Sequence, residues 1–255
     1  MANTEETDIT KRQGEIISLL FRYRFLNRIQ IQRFLRHKDE AGINRWLKDL
    51  SKKEYIKPSC KNTQPAVYHL AKAGIRYLKE HKNISVKTVQ KYYRENERSV
   101  SFINSCLLLA DICLDLTNRD SRKVRFEVSV KSEYDNHPSG ELLKDLSPTA
   151  YIRQTTKNQT KDYFLEILYN VPKERLRQRV RKYLSFYQWS DWEAETETDF
   201  PTILIICPSN DVLTYVKRYF KTRLALLDEP ELAIHLTTEA KARQFGLTGD
   251  IWKRI

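Results

Sequence analysis

Basic and amide side chains recur at helical spacing between residues 44 and 52, and their chemistry suits the phosphates and base edges of DNA. The pattern predicts a helix from about residue 40 to residue 54, with Asp39 as its N-cap. Its buried positions would be Ile43, Leu47 and Leu50. Its outward face would carry Asn44, Arg45, Lys48 and Lys52. Arg45 and Lys48 lie about one helical turn apart, so both could reach one groove of a duplex.

A strand, a polar turn and a returning strand follow this helix. The predicted strands cover residues 55–58 and 65–70, and the turn covers residues 61–64. Further helices are predicted over residues 9–26, from the N-cap Asn27 onward, and over residues 71–81. This order, together with the phrase YHLAKAGIRYL, resembles a winged helix-turn-helix over roughly residues 9–82. In that fold the third helix enters the major groove, and the hairpin would contact the DNA backbone through Lys57, Lys61 and Asn62.

The positive charge of the chain is concentrated in the same region. Residues 1–99 carry 22 Lys and Arg against 11 Asp and Glu, whereas residues 100–255 carry 23 against 22. The net charge of +12 therefore comes almost entirely from the first part of the chain. A concentrated positive field attracts polyanions over a long range, so double-stranded DNA is the expected partner.

Composition restricts the remaining classes of protein. A chain of 255 residues is long enough for two domains. The four cysteines have no CxxC spacing and the five histidines have no HExxH spacing, so we expect reduced thiols, no metal site of zinc type and a cytoplasmic location. The polar N-terminus does not resemble a signal peptide. The longest apolar run, residues 106–113, is interrupted by Asp111 and is too short to cross a bilayer, so no membrane partner is expected.

The second part of the chain alternates strands with helices. A long helix is expected over residues 95–116, and residues 83–99 are interpreted as a linker or as the start of that helix. Strands are predicted over residues 124–130, from 148 onward, and over 162–169, 201–207 and 232–236, with helices over 173–188 and 210–224. The acidic stretch 189–200, which contains two tryptophans, is expected to be a solvated loop. The fold class is therefore α+β or mixed, with a winged helix-turn-helix domain over residues 1–82 and an α/β domain over residues 100–255.

This strand order is similar to the core of the restriction-endonuclease-like nucleases, whose motif is written PD-(D/E)xK. In that motif an Asp and a Glu hold Mg²⁺, and a Lys orients the attacking water. The matching stretches are SPTAYI and DYFLEILYN: Glu166 takes the Glu position, but Thr149 stands in the Asp position and Leu168 in the Lys position. Lys182 on the next helix and Asp145 are the available substitutes. If the protein is a nuclease, Glu166, Lys182 and Asp145 would be its catalytic residues and Mg²⁺ its cofactor. If it is not a nuclease, no cofactor is expected.

Several further stretches accompany the winged helix: the helix SFINSCLLLADICLDL, the strands PTAYIRQ and YFLEILYN, and the segments RKYLSFYQ, FPTILIICPSNDVL and GLTGDIW. Together they resemble the replication-relaxation family of plasmids and integrative elements. The resemblance implies a winged helix joined to a nuclease-like domain, and an accessory role in plasmid replication, DNA relaxation or mobilisation.

Two functions follow from these patterns. The first is a DNA-binding protein that acts as a replication or mobilisation factor or as a transcriptional regulator. Its C-terminal domain would form a homodimer or recruit a replication, relaxase or transcription protein. The second is a metal-dependent nuclease or nickase with a rearranged site. The losses at Thr149 and Leu168 favour the first function and argue against an enzyme.

Overall fold

The structure is a computed structural model that describes residues 9–59, 65–82, 90–121, 123–227 and 231–255. The chain divides into two units, Met1–Ala110 and Asp111–Ile255. Each unit has its own sheet, and each is described by itself below.

The first unit combines short helices with a three-stranded antiparallel sheet. Its elements are α1 (Lys11–Tyr23), β1 (Leu26–Asn27), α2 (Arg28–Phe34), α3 (Glu40–Lys52), β2 (Ile56–Pro58), β3 (Val67–Leu70), α4 (Lys72–Lys82), a 3₁₀ helix (Lys91–Glu97) and the first half of α5 (Val100–Arg119). The sheet order is β1-β3-β2, so the predicted hairpin gains a third strand from the short segment before α2. This order of elements confirms the predicted winged helix-turn-helix.

The starts of the first three helices follow from their capping residues. Thr10 and Asn27 each form a reciprocal capping box with the glutamine three residues later, at the N-termini of α1 and α2. The Asp39 carboxylate accepts hydrogen bonds from two backbone N–H groups at the start of α3. The predicted N-caps Asn27 and Asp39 are thus confirmed, and they fix where the helices α2 and α3 begin.

Helix α5 begins at Val100, within the first unit. The segment 83–99 was predicted to be a linker or the start of this helix, and its described part instead contains the separate 3₁₀ helix Lys91–Glu97. Gln30 Nε2 donates to the backbone oxygen of Leu107 at 2.8 Å, and Ile103 and Cys106 pack in a cluster with Phe25. The division between the units therefore falls within α5, at residues 110 and 111. Residues 83–89 lie outside the described part of the chain.

At 20 residues, α5 is long and apolar enough to cross a bilayer by length and composition alone, although the sequence had suggested no segment of that length. Of its apolar stretch, 56% is buried inside the protein. Such burial is typical of a core helix.

The second unit is built on a six-stranded mixed sheet. Its elements after α5 are β4 (Val124–Val130), a 3₁₀ turn (Tyr134–Asn136), α6 (Gly140–Leu146), β5 (Ala150–Thr156), β6 (Thr160–Ile167), α7 (Lys173–Trp189), α8 (Trp192–Thr196), β7 (Thr202–Cys207), α9 (Asn210–Leu224), β8 (Ile234–Thr238), α10 (Glu239–Phe245) and β9 (Lys253–Arg254). The strands lie in the order β4-β5-β6-β7-β8-β9. Strands β4 to β6 are antiparallel, β6 to β8 are parallel, and β9 is antiparallel to β8. The predicted mixed α/β class is confirmed.

The core of this unit lies between one face of the sheet and helices α7 and α9. The apolar run of β7 is buried on both faces, as expected for a central strand with parallel neighbours. An aromatic cluster extends this core, in which Trp192 packs edge-on against Phe164 with ring centroids 5.1 Å apart. The prediction of a solvated loop over residues 189–200 is wrong for this reason: the segment forms α8, and Trp192 is only 1% exposed. Trp189, by contrast, is 84% exposed.

Candidate functional site

The outward face of α3 holds the polar side chains that the sequence assigned to DNA. Apolar residues fix its orientation, because Ile43, Leu47 and Leu50 are all fully or almost fully buried. The residues exposed on the other side are Asn44, Arg45, Lys48 and Lys52, which we call the α3 face. A helix presented in this way has its polar side chains available to a groove.

The surroundings of the α3 face leave its positive charge largely uncompensated. Asp49, the acidic residue within this stretch, is only partly exposed and accepts a hydrogen bond from Gln13 Nε2 at 2.6 Å. This bond and the one from Lys53 lower the pKa of Asp49, with a smaller contribution from the charge of Lys52, so one carboxylate stays charged beside the four polar side chains of the α3 face. Glu40, at the start of α3, pairs with Arg28 at 3.2 Å.

The predicted hairpin contacts are only partly within the described residues. Lys57 on β2 is exposed. Strand β2 directly follows α3 after a short turn, so the α3 face and Lys57 belong to adjoining elements of one unit. Lys61 and Asn62 lie outside the described residues, and their assignment stays a prediction.

In the second unit, Glu166 is buried in an internal network of charged and polar groups. Its Oε2 atom accepts from Arg179 Nη2 at 2.6 Å and from the Tyr183 hydroxyl at 3.0 Å. The same guanidinium donates to the backbone oxygens of Leu146 and Ser147, at 2.7 and 2.9 Å. Arg179 therefore joins the end of β6 to the loop before β5, where the nuclease motif would have its acidic cluster.

The other two motif positions have structural roles. The Thr149 hydroxyl oxygen accepts the backbone N–H of Ile167 at 3.1 Å, so it joins the segment just before β5 to the end of β6. Leu168 is buried, and its backbone N–H donates to Ile206 at 2.9 Å. Neither side chain supplies a charge to the site.

The two substitutes proposed from the sequence are exposed. Lys182 lies on the solvent side of α7, and Asp145 is exposed on α6. Glu166 is buried and its oxygen is bound by Arg179 and Tyr183, so Glu166, Lys182 and Asp145 are not brought together as one site.

The pKa shifts agree with an internal network that holds one carboxylate. Burial, followed by the Glu166 charge, raises the pKa of Tyr183 well above its ordinary value. Burial acts to lower the pKa of Arg179, but the attraction of Glu166 and the tyrosine raises it overall. Arg179 is therefore a permanent cation, and Tyr183 is a neutral hydroxyl donor.

These residues do not fit a magnesium ion. Mg²⁺ is held by carboxylate oxygens in octahedral geometry, and a cation already bound to the carboxylate repels it. Among the described residues there is no group of three His, Cys, Asp or Glu side chains that could hold a metal ion. The sequence indicated Glu166 but not the two groups that bind it, the Arg179 guanidinium and the Tyr183 hydroxyl. The available signal was their i, i+4 spacing on α7, which places both side chains on one face of the helix.

Comparisons with known proteins place the chain as follows. Residues 17–203 match a family model described as replication-relaxation. No curated protein sequence matches the chain significantly. Two solved structures of variants of ZitR from Lactococcus lactis each share 22% identity and a TM-score of 0.28; they cover 46% of this chain and 80% or 79% of ZitR.

A structure of the restriction endonuclease FokI bound to DNA shares 12% identity over 96% of this chain and 46% of FokI, with a TM-score of 0.28. At these scores we take no functional conclusion from either structural similarity. The match to the family model covers most of the chain.

Proposed function

The chain belongs to the replication-relaxation family, and from this premise we propose that it is a DNA-binding accessory protein of plasmid or mobile-element replication, relaxation or mobilisation. The observation that carries the proposal is the exposed α3 face on a winged helix-turn-helix. The same face would also serve a transcriptional regulator, and the DNA site that it selects distinguishes these roles.

In the proposed complex, α3 lies in the major groove. Arg45 and Lys48 contact base edges or phosphates, with Asn44 and Lys52 beside them. Lys57 contacts the backbone from β2. Phosphate contacts supply affinity and orientation, and contacts to base edges supply specificity. The net charge of +11 over residues 1–99 supports rapid, salt-sensitive association.

We assign the second unit an organising role, in dimerisation or in the recruitment of a replication, relaxase or transcription protein. The contact between Arg179 and Glu166 supports this assignment over nuclease chemistry. A carboxylate that is buried, ion-paired and bound by a tyrosine is a structural group, and a single carboxylate is a poor ligand set for Mg²⁺.

Binding to duplex DNA across a range of salt concentrations tests the role of α3. The test variant is Arg45→Ala/Lys48→Ala, and the matched control is Lys72→Ala/Arg76→Ala, which removes the same charge from exposed positions of α4. If both lost contacts are to phosphates, we expect the log–log salt slope to fall by about 2. The control variant should keep the wild-type slope. Equal DNA affinity of the test variant and the wild-type protein would refute the placement of the recognition helix.

A cleavage assay tests the organising role of the second unit. Supercoiled plasmid is incubated with the protein and Mg²⁺ or Mn²⁺, with and without Glu166→Ala. We expect no nicking by either protein. Nicking by the wild-type chain that disappears in a Glu166→Ala variant, shown by circular dichroism to remain folded, would establish the nuclease alternative.

A further inference from the structure

Helices α7 and α9 of the second unit are joined by a row of arginine–tyrosine pairs on their exposed side. Arg177 Nε donates to the Tyr215 hydroxyl at 2.6 Å. One turn further along both helices, Arg181 Nε donates to the Tyr219 hydroxyl at 2.9 Å. The two pairs repeat because i and i+4 positions lie on one face of a helix. The Arg–Tyr ladder is defined here as Lys173, Arg177, Arg181, Tyr215, Arg218 and Tyr219.

The ladder lines a shallow cleft that is strongly positive. Its volume is about 380 Å³, and among the described residues its lining contains four basic side chains, no carboxylate and no aliphatic side chain. The adjacent acid is Glu174, which lies 3.4 Å from Arg177 and 3.8 Å from Arg181. One carboxylate does not neutralise four cations. The cleft is therefore a concentrated positive site within a unit whose net charge is close to zero.

The arginines of the ladder are exposed yet held in place. The Arg177 and Arg181 side chains are 44% and 51% exposed, whereas Tyr215 and Tyr219 are half-buried against the core. A guanidinium has five N–H donors, of which the tyrosine takes one and Glu174 is near another. The remaining donors suit the oxygens of a phosphate. Because the tyrosines already order these side chains, binding loses less side-chain entropy than at a free arginine.

We propose that the Arg–Tyr ladder is a second DNA-binding surface, which binds the phosphate backbone of duplex DNA independently of the α3 face. This inference goes beyond the proposed function, which gives the second unit only a role in dimerisation or recruitment. The two arginine–tyrosine pairs lie about 6 Å apart along α7, because Arg177 and Arg181 are four residues apart and each residue of an α-helix advances about 1.5 Å. Regular spacing and the lack of aliphatic side chains favour a repeating polyanion over a folded protein, since protein interfaces have apolar cores.

Paired charge-removal variants test the ladder in the full-length protein. The test variant is Arg177→Ala/Arg181→Ala. The control is Arg175→Ala/Lys182→Ala, which removes two exposed cations from the same helix outside the cleft. Both are made in the wild-type chain and in the chain with Arg45→Ala/Lys48→Ala, where the α3 contribution is reduced. Fluorescence anisotropy with a labelled random-sequence duplex gives the affinity and the salt slope, and circular dichroism checks folding.

We expect the test variant to lower the salt slope by about 2 and the affinity roughly 30-fold at about 0.15 M salt, from the release of counterions at two phosphates. The control should keep the slope. Tyr215→Phe/Tyr219→Phe keeps every charge and removes only the hydroxyl acceptors, so it should weaken binding while leaving the slope nearly unchanged. A folded test variant with the slope and affinity of its control would overturn the inference.

The two proposals fail separately. Loss of DNA binding in the α3 variant alone would support the proposed function and remove the ladder as a DNA site. Loss in the ladder variant alone would support the ladder and remove α3 as the recognition helix.

Discussion

Removal of the Arg179 side chain should destabilise the second unit, because it would leave Glu166 as a buried carboxylate with a single hydroxyl donor. Arg179→Met keeps the aliphatic stem but removes the 2.6 Å bond to Glu166 and the two bonds to backbone carbonyls. Breaking a buried ion pair from one side costs about 3–5 kcal/mol. The Tyr183 hydroxyl remains as a donor to Glu166, and a hydrogen bond to a charged group contributes about 1.5–3 kcal/mol. We therefore expect a loss near the lower end, about 3 kcal/mol.

Two further variants separate the charge from the packing. Glu166→Gln should cost less, about 1–2 kcal/mol, because Arg179 keeps its carbonyl acceptors and its side chain is 19% exposed to water. The double variant Glu166→Leu/Arg179→Met replaces the pair by apolar groups, so it should be more stable than Arg179→Met alone. With Glu166→Leu as the matching single variant, a double-mutant cycle then gives the coupling energy of the pair.

Urea unfolding monitored by hydrogen exchange in peptides from β5 and β6 measures these effects in the second unit alone. A cost below about 1 kcal/mol for Arg179→Met, with no coupling to Glu166, would refute the reasoning. It would mean that Glu166 is solvated, as a carboxylate available to a metal ion would be.

Four other predictions test particular parts of the fold. Trp192→Ala should lower the free energy of unfolding by about 3–5 kcal/mol because its ring is 1% exposed, whereas Trp189→Ala, at a position 84% exposed, should change it by less than about 0.5 kcal/mol in urea titrations. Burial raises the pKa of Cys207 to about 12, so mass spectrometry should find that its thiol resists alkylation at neutral pH until the second unit unfolds. Burial raises the pKa of Tyr183 above its unfolded value of about 10, so its contribution to stability should be fully present below about pH 10 and should be lost as the pH rises further. An ultraviolet titration should show that the Tyr183 hydroxyl ionises only when the protein unfolds. Asp39→Ala should cost about 1 kcal/mol in thermal unfolding through loss of the α3 cap, and Asp39→Asn should restore most of it.

Local signals in the sequence were sufficient for the first unit. The caps at Asn27 and Asp39 and the apolar spacing of α3 act within a few residues, so the pattern alone predicts where these helices begin and which face is exposed. The short strand β1 was missed because two residues carry no periodicity, and only its pairing with β3 defines it.

The second unit depended more on contacts between distant segments. Glu166 could be located on β6 and Thr149 next to the start of β5, but the partner of Glu166 could not be located, because Arg179 reaches it only when α7 packs on the sheet. The sequence suggested Lys182, which is three residues away and faces solvent. Charge misled the interpretation of residues 189–200, because the acidic residues there stay exposed while Trp192 among them is buried in the core.

The central claim is that the α3 face selects DNA for a protein that organises it without cutting it. Genome-wide capture of DNA fragments with the purified wild-type chain and with Arg45→Ala/Lys48→Ala tests that claim most directly. We predict that the wild-type protein enriches one or a few sites, at the origin of a plasmid or mobile element, and that the enrichment disappears in the variant while the fragments stay uncut. The same sites captured equally by the variant, or no enriched site for the wild-type protein, would contradict the account.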